Sequence, residues 1–295
     1  MIDICVPYWG DPALMRKTVE SVLAQDSDQW ILTVLDDAYA DKAIGEWMAT
    51  INHPRVHYLR NEKNLGIVGN YRKLLTMTTQ ELVMLLGCDD ELLPNYVSTV
   101  LAAHERHPSA SIIHPGTRTI DETGQEVKTL TDWAKLNLVM PRSKNTVLEG
   151  EPLAASLLAG DWMYWPALTF KTKVLKAFDF DPKLKLTHDL AIVIDMILAG
   201  EKFLIEPTVC FSYRRHSKSA STASLIDGRR FSEEKRYFAH AKALTRAAGW
   251  PQAERAVDWH ITSRLNALWI ASNAFFKGYW RAIPGLVSHA FGRLK

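Results

Sequence analysis

Residues 81–94, ELVMLLGCDDELLP, decide how the rest of the chain is read. Residues 82–86 are an unbroken apolar run. Bounded by turn signals, such a run reads as a buried strand. It ends in Gly87-Cys88-Asp89-Asp90. Two adjacent carboxylates at the end of a buried strand are costly to desolvate unless something positive meets them. In open α/β sheets, ligands bind beyond the carboxyl ends of strands. Hard divalent cations take carboxylate oxygens, and magnesium often uses one or two of them plus substrate phosphates. Asp89 and Asp90 therefore read as a metal–diphosphate site. They read equally as an Asp-rich turn before a helix starting near Pro94.

Working outward, residues 2–6 form a short apolar strand interrupted by Asp3 and ending at Pro7-Tyr8-Trp9-Gly10. Asp11-Pro12 opens a helix, with Met15, Val19, Val22 and Leu23 on one face. Residues 30–35 are a second strand, and it too ends in a carboxylate pair, Asp36-Asp37. Residues 56–59 are a third. Asn64-Leu65-Gly66 makes a turn into a helix through Leu75. Past residue 94, Val97, Val100, Leu101 and His104 recur at helical spacing. Strands alternating with helices argue a parallel, doubly wound sheet. No GxGxxG follows the first strand, which weighs against a dinucleotide-dependent dehydrogenase.

The chain has 295 residues, 47% hydrophobic and 23% charged, enough for a large α/β core. A net charge of +2 carries no nucleic-acid signature, so no nucleic-acid partner is expected. Cys5, Cys88 and Cys210 are widely spaced, which suits a reduced, cytoplasmic setting. The N-terminus enters a strand directly, so no signal peptide is expected. No run reaches the ~20 apolar residues that span a bilayer.

In the second half, residues 112–114 read as a strand and residues 118–145 as polar and irregular. Trp162, Tyr164 and Trp165 cluster ahead of a strand at 167–170. They read either as core or as an aromatic platform for the apolar face of a ligand. His188-Asp189 heads a helix with Ile192, Met196 and Ile197 on one side; a lone Asp there is ordinarily a cap. Arg214, Arg215, His216 and Lys218 make a basic run that is either solvated or phosphate-facing. Residues 219–232 are polar and Ser-rich, as a lid or a linker would be. Val257, Ile261, Leu265, Leu268, Trp269, Ser272, Phe275 and Phe276 keep one helical face until Gly278 and Pro284 break it. After Asp258 no acidic residue occurs, while Arg264, Lys277, Arg281, Arg293 and Lys295 do. Basic residues beside aromatics on a non-spanning helix fit a segment lying in a membrane interface. Packing on the rest of the chain or on a second copy of it is the other reading.

Four stretches in order, VPYWGDPALMRKTVESVLAQ, VLDD, RNEKNLGIVGN and LGCDDELLP, resemble the family 2 glycosyltransferases of the GT-A fold. The similarity runs in register from residue 2 to about residue 221. It implies a Rossmann-like, mostly parallel sheet flanked by helices, with a C-terminal helical extension. The expected divisions are a donor-binding half at 1–110, an acceptor-binding half at 111–220 and the extension at 221–295. By the resemblance, the backbone near Pro7, Tyr8 and Trp9 and the carboxylate of Asp37 hold the base. Asn64 and Asn70 line the nucleotide pocket. Asp89 meets ribose or metal, Asp90 ligates the metal, and His216 of a Y-R-x-H-x-x-S motif is a third ligand. Arg214 and Arg215 neutralise phosphate. Asp189 matches the family's acidic motif and becomes the catalytic base, with His188, on the acceptor side, where the family usually has Glu. Gly87 stands where many relatives have Asp. The implied function is metal-dependent (Mn2+ or Mg2+), inverting transfer of a sugar from a UDP or dTDP donor. The acceptor would be a hydroxyl of a glycan or lipid-linked molecule, in bacterial surface polysaccharide or glycolipid synthesis. The enzyme would be cytoplasmic and peripheral on the inner face of the plasma membrane, and a homo-oligomer is compatible with this. The alternative is a non-catalytic glycan-binding or scaffold protein of the same fold.

Overall fold

A computed structural model describes residues 1–129, 132–133, 135, 139–141, 146–216, 229–276, 280 and 283–292, with the side chains of 229–230 and 273–276 left aside. Expectations that fall on Lys218, Ser219, Lys277, Arg281, Arg293 and Lys295 lie outside the described residues.

Alternation along the first strand, β1 (Ile2–Tyr8), explains the layering. Ile2, Ile4, Val6 and Tyr8 face one core and Cys5 the other. β2 (Trp30–Asp36), β3 (Val56–Arg60) and β4 (Leu82–Leu85) follow, separated by α1 (Pro12–Leu23), α2 (Ala43–Met48) and α3 (Gly66–Met77). In β4, Leu82 and Met84 join the first core while Val83 and Leu85 join the second. A strand apolar on both faces needs cover on both. Met15, Val19 and Val22 of α1 cover one face, and Val68, Tyr71, Leu74 and Leu75 of α3 the other. Asp3, which interrupts the apolar run of β1, accepts the Thr79 and Gln80 amides at 2.6 and 2.7 Å and so fixes the turn into β4.

The remaining elements are β5 (Glu91–Leu92), α4 (Tyr96–Arg106), β6 (Ile112–Ile120), β7 (Val147–Leu148), α5 (Gly150–Ala159), a 3-10 turn at Trp165–Ala167, β8 (Thr169–Lys171), α6 (Thr172–Leu175), α7 (His188–Leu198) and β9 (Phe203–Arg214). The strand order is β3-β2-β1-β4-β8-β6-β9-β5, with β7 also on β9. The β3-β2-β1-β4 half is wholly parallel, and antiparallel pairs enter with β8 and the two-residue strands. β6 and β9 run parallel through a register shift at Gly116. A Cβ there would lie 2.7 Å from the Pro207 carbonyl oxygen, so the close approach requires glycine.

Two expectations change. The basic run expected to be solvated or phosphate-facing opens at Arg214, the last residue of the twelve-residue strand β9. Glu206-Pro207-Thr208 in its middle breaks the alternation that would have announced it. The single helical face expected from Val257 to Phe276 is two helices. α8 (Arg229–Ala247) and α9 (Pro251–Trp259) precede α10 (Ile261–Phe276) and α11 (Ile283–Phe291), with the break at His260, φ 19°. Ala267, Ile270 and Ala271 of α10 turn inward, while Ile261, Leu265 and Trp269 face out.

Candidate active site

The site lies beyond the carboxyl ends of β2, β1 and β4, three neighbours in the sheet. At the β2 end the two aspartates divide the work. Asp36 accepts from the Tyr58 hydroxyl at 2.6 Å and the Tyr39 amide at 2.8 Å, and pairs with Arg60. Asp37, 2% exposed, accepts from Asn61 Nδ2 at 2.8 Å and from the Leu65 and Gly66 amides at 2.8 and 2.9 Å. It thus caps the start of α3, where free amides favour a carboxylate. A carboxylate has about four acceptor positions, so Asp37 keeps capacity for one more donor. Ala38, next in the chain, sits at φ 61°, a left-handed conformation that a Cβ disfavours. Asn64 is exposed and accepts from the Gly66 amide at 2.8 Å. Asn70 does not line an open pocket. It is buried, donates to the Leu35 carbonyl at 2.9 Å and accepts from Asn61.

At the β1 end Pro7 and Tyr8 are buried within the strand, and the Tyr8 hydroxyl donates to the Gly10 carbonyl. Trp9 is 54% exposed and stands edge-on to Tyr39, ring centroids 5.2 Å apart. Trp9 and Tyr39 form an aromatic lip above the Asp37 loop.

At the β4 end Asp90 is buried. Its Oδ1 accepts the Arg214 amide at 2.8 Å, and its carbonyl accepts the Thr18 hydroxyl. Burial and then the Asp89 carboxylate push its pKa well above the ordinary carboxylate range. Asp89 meets His216 across 127 positions of sequence, Oδ2 to Nε2 2.7 Å, and this bond raises the imidazole pKa. Asp89, Asp90 and His216 are therefore brought together. A Cβ on Gly87 would lie 2.6 Å from Asp90 Oδ2 and 3.1 Å from Asp89 Oδ1. Both carboxylates converge on the space left by that missing side chain, so an Asp at 87 would displace them. Among the described residues no three acidic, His or Cys side chains already stand in a metal-holding group. Two carboxylates converging on a cradle, with an imidazole beside them, nonetheless have the donor chemistry of a hard divalent cation.

The two arginines are not free phosphate ligands. Arg214 is fully buried. It donates to the carbonyls of Asp89 and Asp121 at 2.8 Å each and pairs with Glu91. It is a staple between β9 and the Asp89-Asp90 turn. Arg215 makes a two-point contact with Asp132, 2.6 and 3.1 Å, and Tyr164 donates to the same carboxylate at 2.7 Å. Burial opposes ionisation of Asp132, but the hydrogen bonds from Arg215, Thr129 and Tyr164 hold its pKa down at about 2. Glu91, Asn61 and Asp132 escaped the sequence reading because no spacing ties them to their partners.

The four acceptor-side candidates do not form one platform. Trp162 is wholly buried against His114 and Phe203 and is core. Tyr164 is buried and serves Asp132. Trp165 and His188 do meet, centroids 6.1 Å apart, in an aromatic cluster with Tyr71 and Phe180. Trp165 Nε1 donates to the Tyr71 hydroxyl at 3.2 Å. Asp189 sits half-buried in the first turn of α7. Its Oδ1 accepts the Leu190 amide at 2.8 Å, and no described group engages Oδ2. The buried Tyr71 phenol has its pKa raised by desolvation first, and then by the nearby Asp189, Cys88 and Asp89. Tyr71 also packs on His188 at the start of α7, ring centroids 5.6 Å apart.

Residues 3–156, just over half the chain, match the family model described as glycosyl transferase family 2. The chain is a family 2 glycosyltransferase. WcaA of Escherichia coli (strain K12), whose name proposes a glycosyl transferase of colanic acid biosynthesis, is 23% identical to this glycosyltransferase over 227 residues, 76% of each chain. An uncharacterized glycosyltransferase of Methanocaldococcus jannaschii is 22% identical over 219 residues, 72% of this chain and 70% of its own. In fold the glycosyltransferase is similar to residues 1–349 of S. aureus TarS, solved with UDP-GlcNAc, at TM-score 0.64 and 15% identity over 98% of this chain and 90% of that one. It is also similar to the mannosyltransferase PcManGT of Pyrobaculum calidifontis, solved with GDP-Man and Mn2+, at TM-score 0.60 and 17% identity over 98% and 85%.

Proposed function

We propose that this glycosyltransferase moves a sugar from a nucleoside-diphosphate donor to an acceptor hydroxyl with inversion. Asp189 is the general base, and Asp90, Asp89 and His216 hold a divalent cation, Mn2+ or Mg2+. The observation that carries the reading is Tyr71, whose phenol lies in the field of Asp189 and of Asp89 at once. Tyr71, whose ring lies 5.6 Å from that of His188 next to Asp189, is thus near both the proposed base and the proposed cation site. Asp189 Oδ2 accepts the proton as the acceptor oxygen bonds to the anomeric carbon and the bond from that carbon to the diphosphate breaks. Bound there, the cation would take up charge on the departing diphosphate. Asp37 and the Trp9–Tyr39 lip hold the base, and a UDP or dTDP donor is our choice for them. Residues 1–110 serve the donor and residues 111–220 the acceptor. Retention of Asp90, Asp189 and His216 argues against a glycan-binding protein without turnover. The likeness to WcaA favours bacterial surface polysaccharide or glycolipid as the setting.

The acceptor in this reading is lipid-linked, and the C-terminal helices rest on an anionic membrane surface. Ile261, Leu265 and Trp269 recur every fourth residue on an outward face of α10, and Trp259, Trp280 and Phe291 are exposed as well. Among the described residues no helix is long and apolar enough to cross a bilayer. Charge selects the occupant, since residues 259–295 hold five Lys and Arg and no acid. Arg264 is excepted. It donates to the Asp258, Ala290 and Gly292 carbonyls and pins α11 instead.

The test is a panel of UDP-, dTDP- and GDP-sugars, each with Mn2+ and again with EDTA, followed by thermal shift and release of nucleoside diphosphate. One donor should raise the melting temperature and be slowly hydrolysed only with Mn2+. Neither binding nor release across the panel would refute the reading.

A further inference from the structure

We infer that Glu233, on the C-terminal extension, is a positioning residue for the general base. The inference rests on the assignment of that role to Asp189. α7 begins without a side-chain cap of its own, because Thr187 at its N-cap makes no such bond. The chain leading into it, residues 181–187, is turn and bend with mostly exposed side chains. Two backbone amides there, Leu186 and Thr187, need acceptors. Both donate to one oxygen of Glu233, Oε1, at 2.6 and 2.9 Å, and the Thr187 hydroxyl reaches the same atom at 3.2 Å. Glu233 is 6% exposed and lies 46 positions away in sequence, on α8. A carboxylate receiving three donors is a stiff anchor, and hydrogen bonds to a charged group are about twice as strong as neutral ones.

The geometry gives this anchor a catalytic consequence. Asp189 follows Thr187 by two residues and makes only the short bond to its own neighbour's amide. Its direction is therefore set by where the helix starts, and Glu233 fixes that start. Tyr237, one turn further along α8, is buried with its phenol in the field of Asp195, Asp189 and Asp161. Glu233 and Tyr237, four residues apart, thus put one face of α8 near the start of α7. The extension is a working part of the acceptor side, and release of Glu233 lets the carboxylate drift from the acceptor hydroxyl while the donor site, on β2, β1 and β4, stays intact. A misplacement of about 1 Å at a reacting group costs on the order of a hundredfold in rate.

The experiment measures hydrolysis of the best nucleoside-diphosphate sugar from the panel, with water as acceptor, on the full chain. Glu233→Ala should lower kcat by about tenfold to a hundredfold. Affinity for the nucleoside diphosphate with Mn2+ should hold even though the melting temperature falls with the loss of the three bonds, and Glu233→Gln, which keeps an oxygen acceptor, should retain most of the rate. Asp189→Asn and the double variant complete a cycle, and the double loss should equal the Asp189→Asn loss alone. Where Glu233→Ala does not fold, Glu233→Asp, shorter by one methylene, takes its place in the same cycle. Wild-type kcat in the folded variant, or losses that simply add in the cycle, would overturn the inference. If Asp189→Asn itself hydrolyses donor at the wild-type rate, the base assignment fails instead.

Discussion

Asp90 carries two opposed demands at the scale of one residue. Burial and the neighbouring Asp89 make its charge costly in the metal-free fold, and that cost is what a cation would relieve. Asp90→Asn keeps the acceptor for the Arg214 amide and removes the charge. It should raise the metal-free melting temperature and abolish Mn2+-dependent nucleotide affinity. Unchanged affinity in calorimetry would remove Asp90 from the cation site. Arg214→Ala should destabilise by about 3–5 kcal/mol in urea, the range for breaking a buried ion pair. Full stability with weakened nucleotide binding would return Arg214 to the phosphates. Ala38→Gly should relieve the left-handed strain, stabilising by about 1 kcal/mol and raising the melting temperature by about 2 °C; a lower value would contradict that account. Asp89, Asp90 and His216 were legible because their motifs stand in order along the sequence. The committed states of Asn70, Arg214 and Trp162 were not. Whether a polar or aromatic side chain is spent on its own fold depends on partners such as Asn61, Glu91 and Phe203, which no local spacing identifies.

Elements were legible where their period was clean. β1, β2 and β4 alternate or run apolar, and α1 has both its Asp11 cap and its stripe. β9 was hidden by Glu206-Pro207, and the helix break at His260 by apolar residues that continue the period past it. That break sits in a buried cluster. His289 packs on Phe231 and His260, its Nε2 is 2.7 Å from the Ser263 hydroxyl and 3.8 Å from Glu234, and Arg264 adds positive charge nearby. Burial lowers the His289 pKa to about 4 from 6.5, and lowers that of His260 as well. The sign follows from which state binds the proton. As pH falls from 6.5 toward 4, the unfolded chain takes up a proton that the folded one refuses, so stability declines across that window. The C-terminal helices should unfold at lower temperature at pH 5 than at pH 7.5, read by tryptophan fluorescence, and His289→Gln should flatten the difference. Equal melting at both pH values would exclude the cluster as the cause.

At the scale of the whole molecule, the three-layer α/β body was legible from alternating elements, as was an apolar face at the C-terminus; that Ile261, Leu265 and Trp269 turn outward shows only in the fold. The membrane reading predicts that full-length protein floats with anionic liposomes at low salt and less so at high salt. A chain ending near Asp258 should not float. Full-length protein left at the bottom, especially as a dimer in solution, would give that face to a second copy. The central claim is a base on α7 opposite a cation-and-diphosphate site at the ends of β2, β1 and β4. Asp189→Asn tests it most directly, with nucleoside-diphosphate affinity in Mn2+ and donor turnover measured on the same preparation. Affinity should match wild type while turnover falls by about 10²–10⁴-fold, the range for a general base. Turnover near wild type at unchanged affinity would contradict the account.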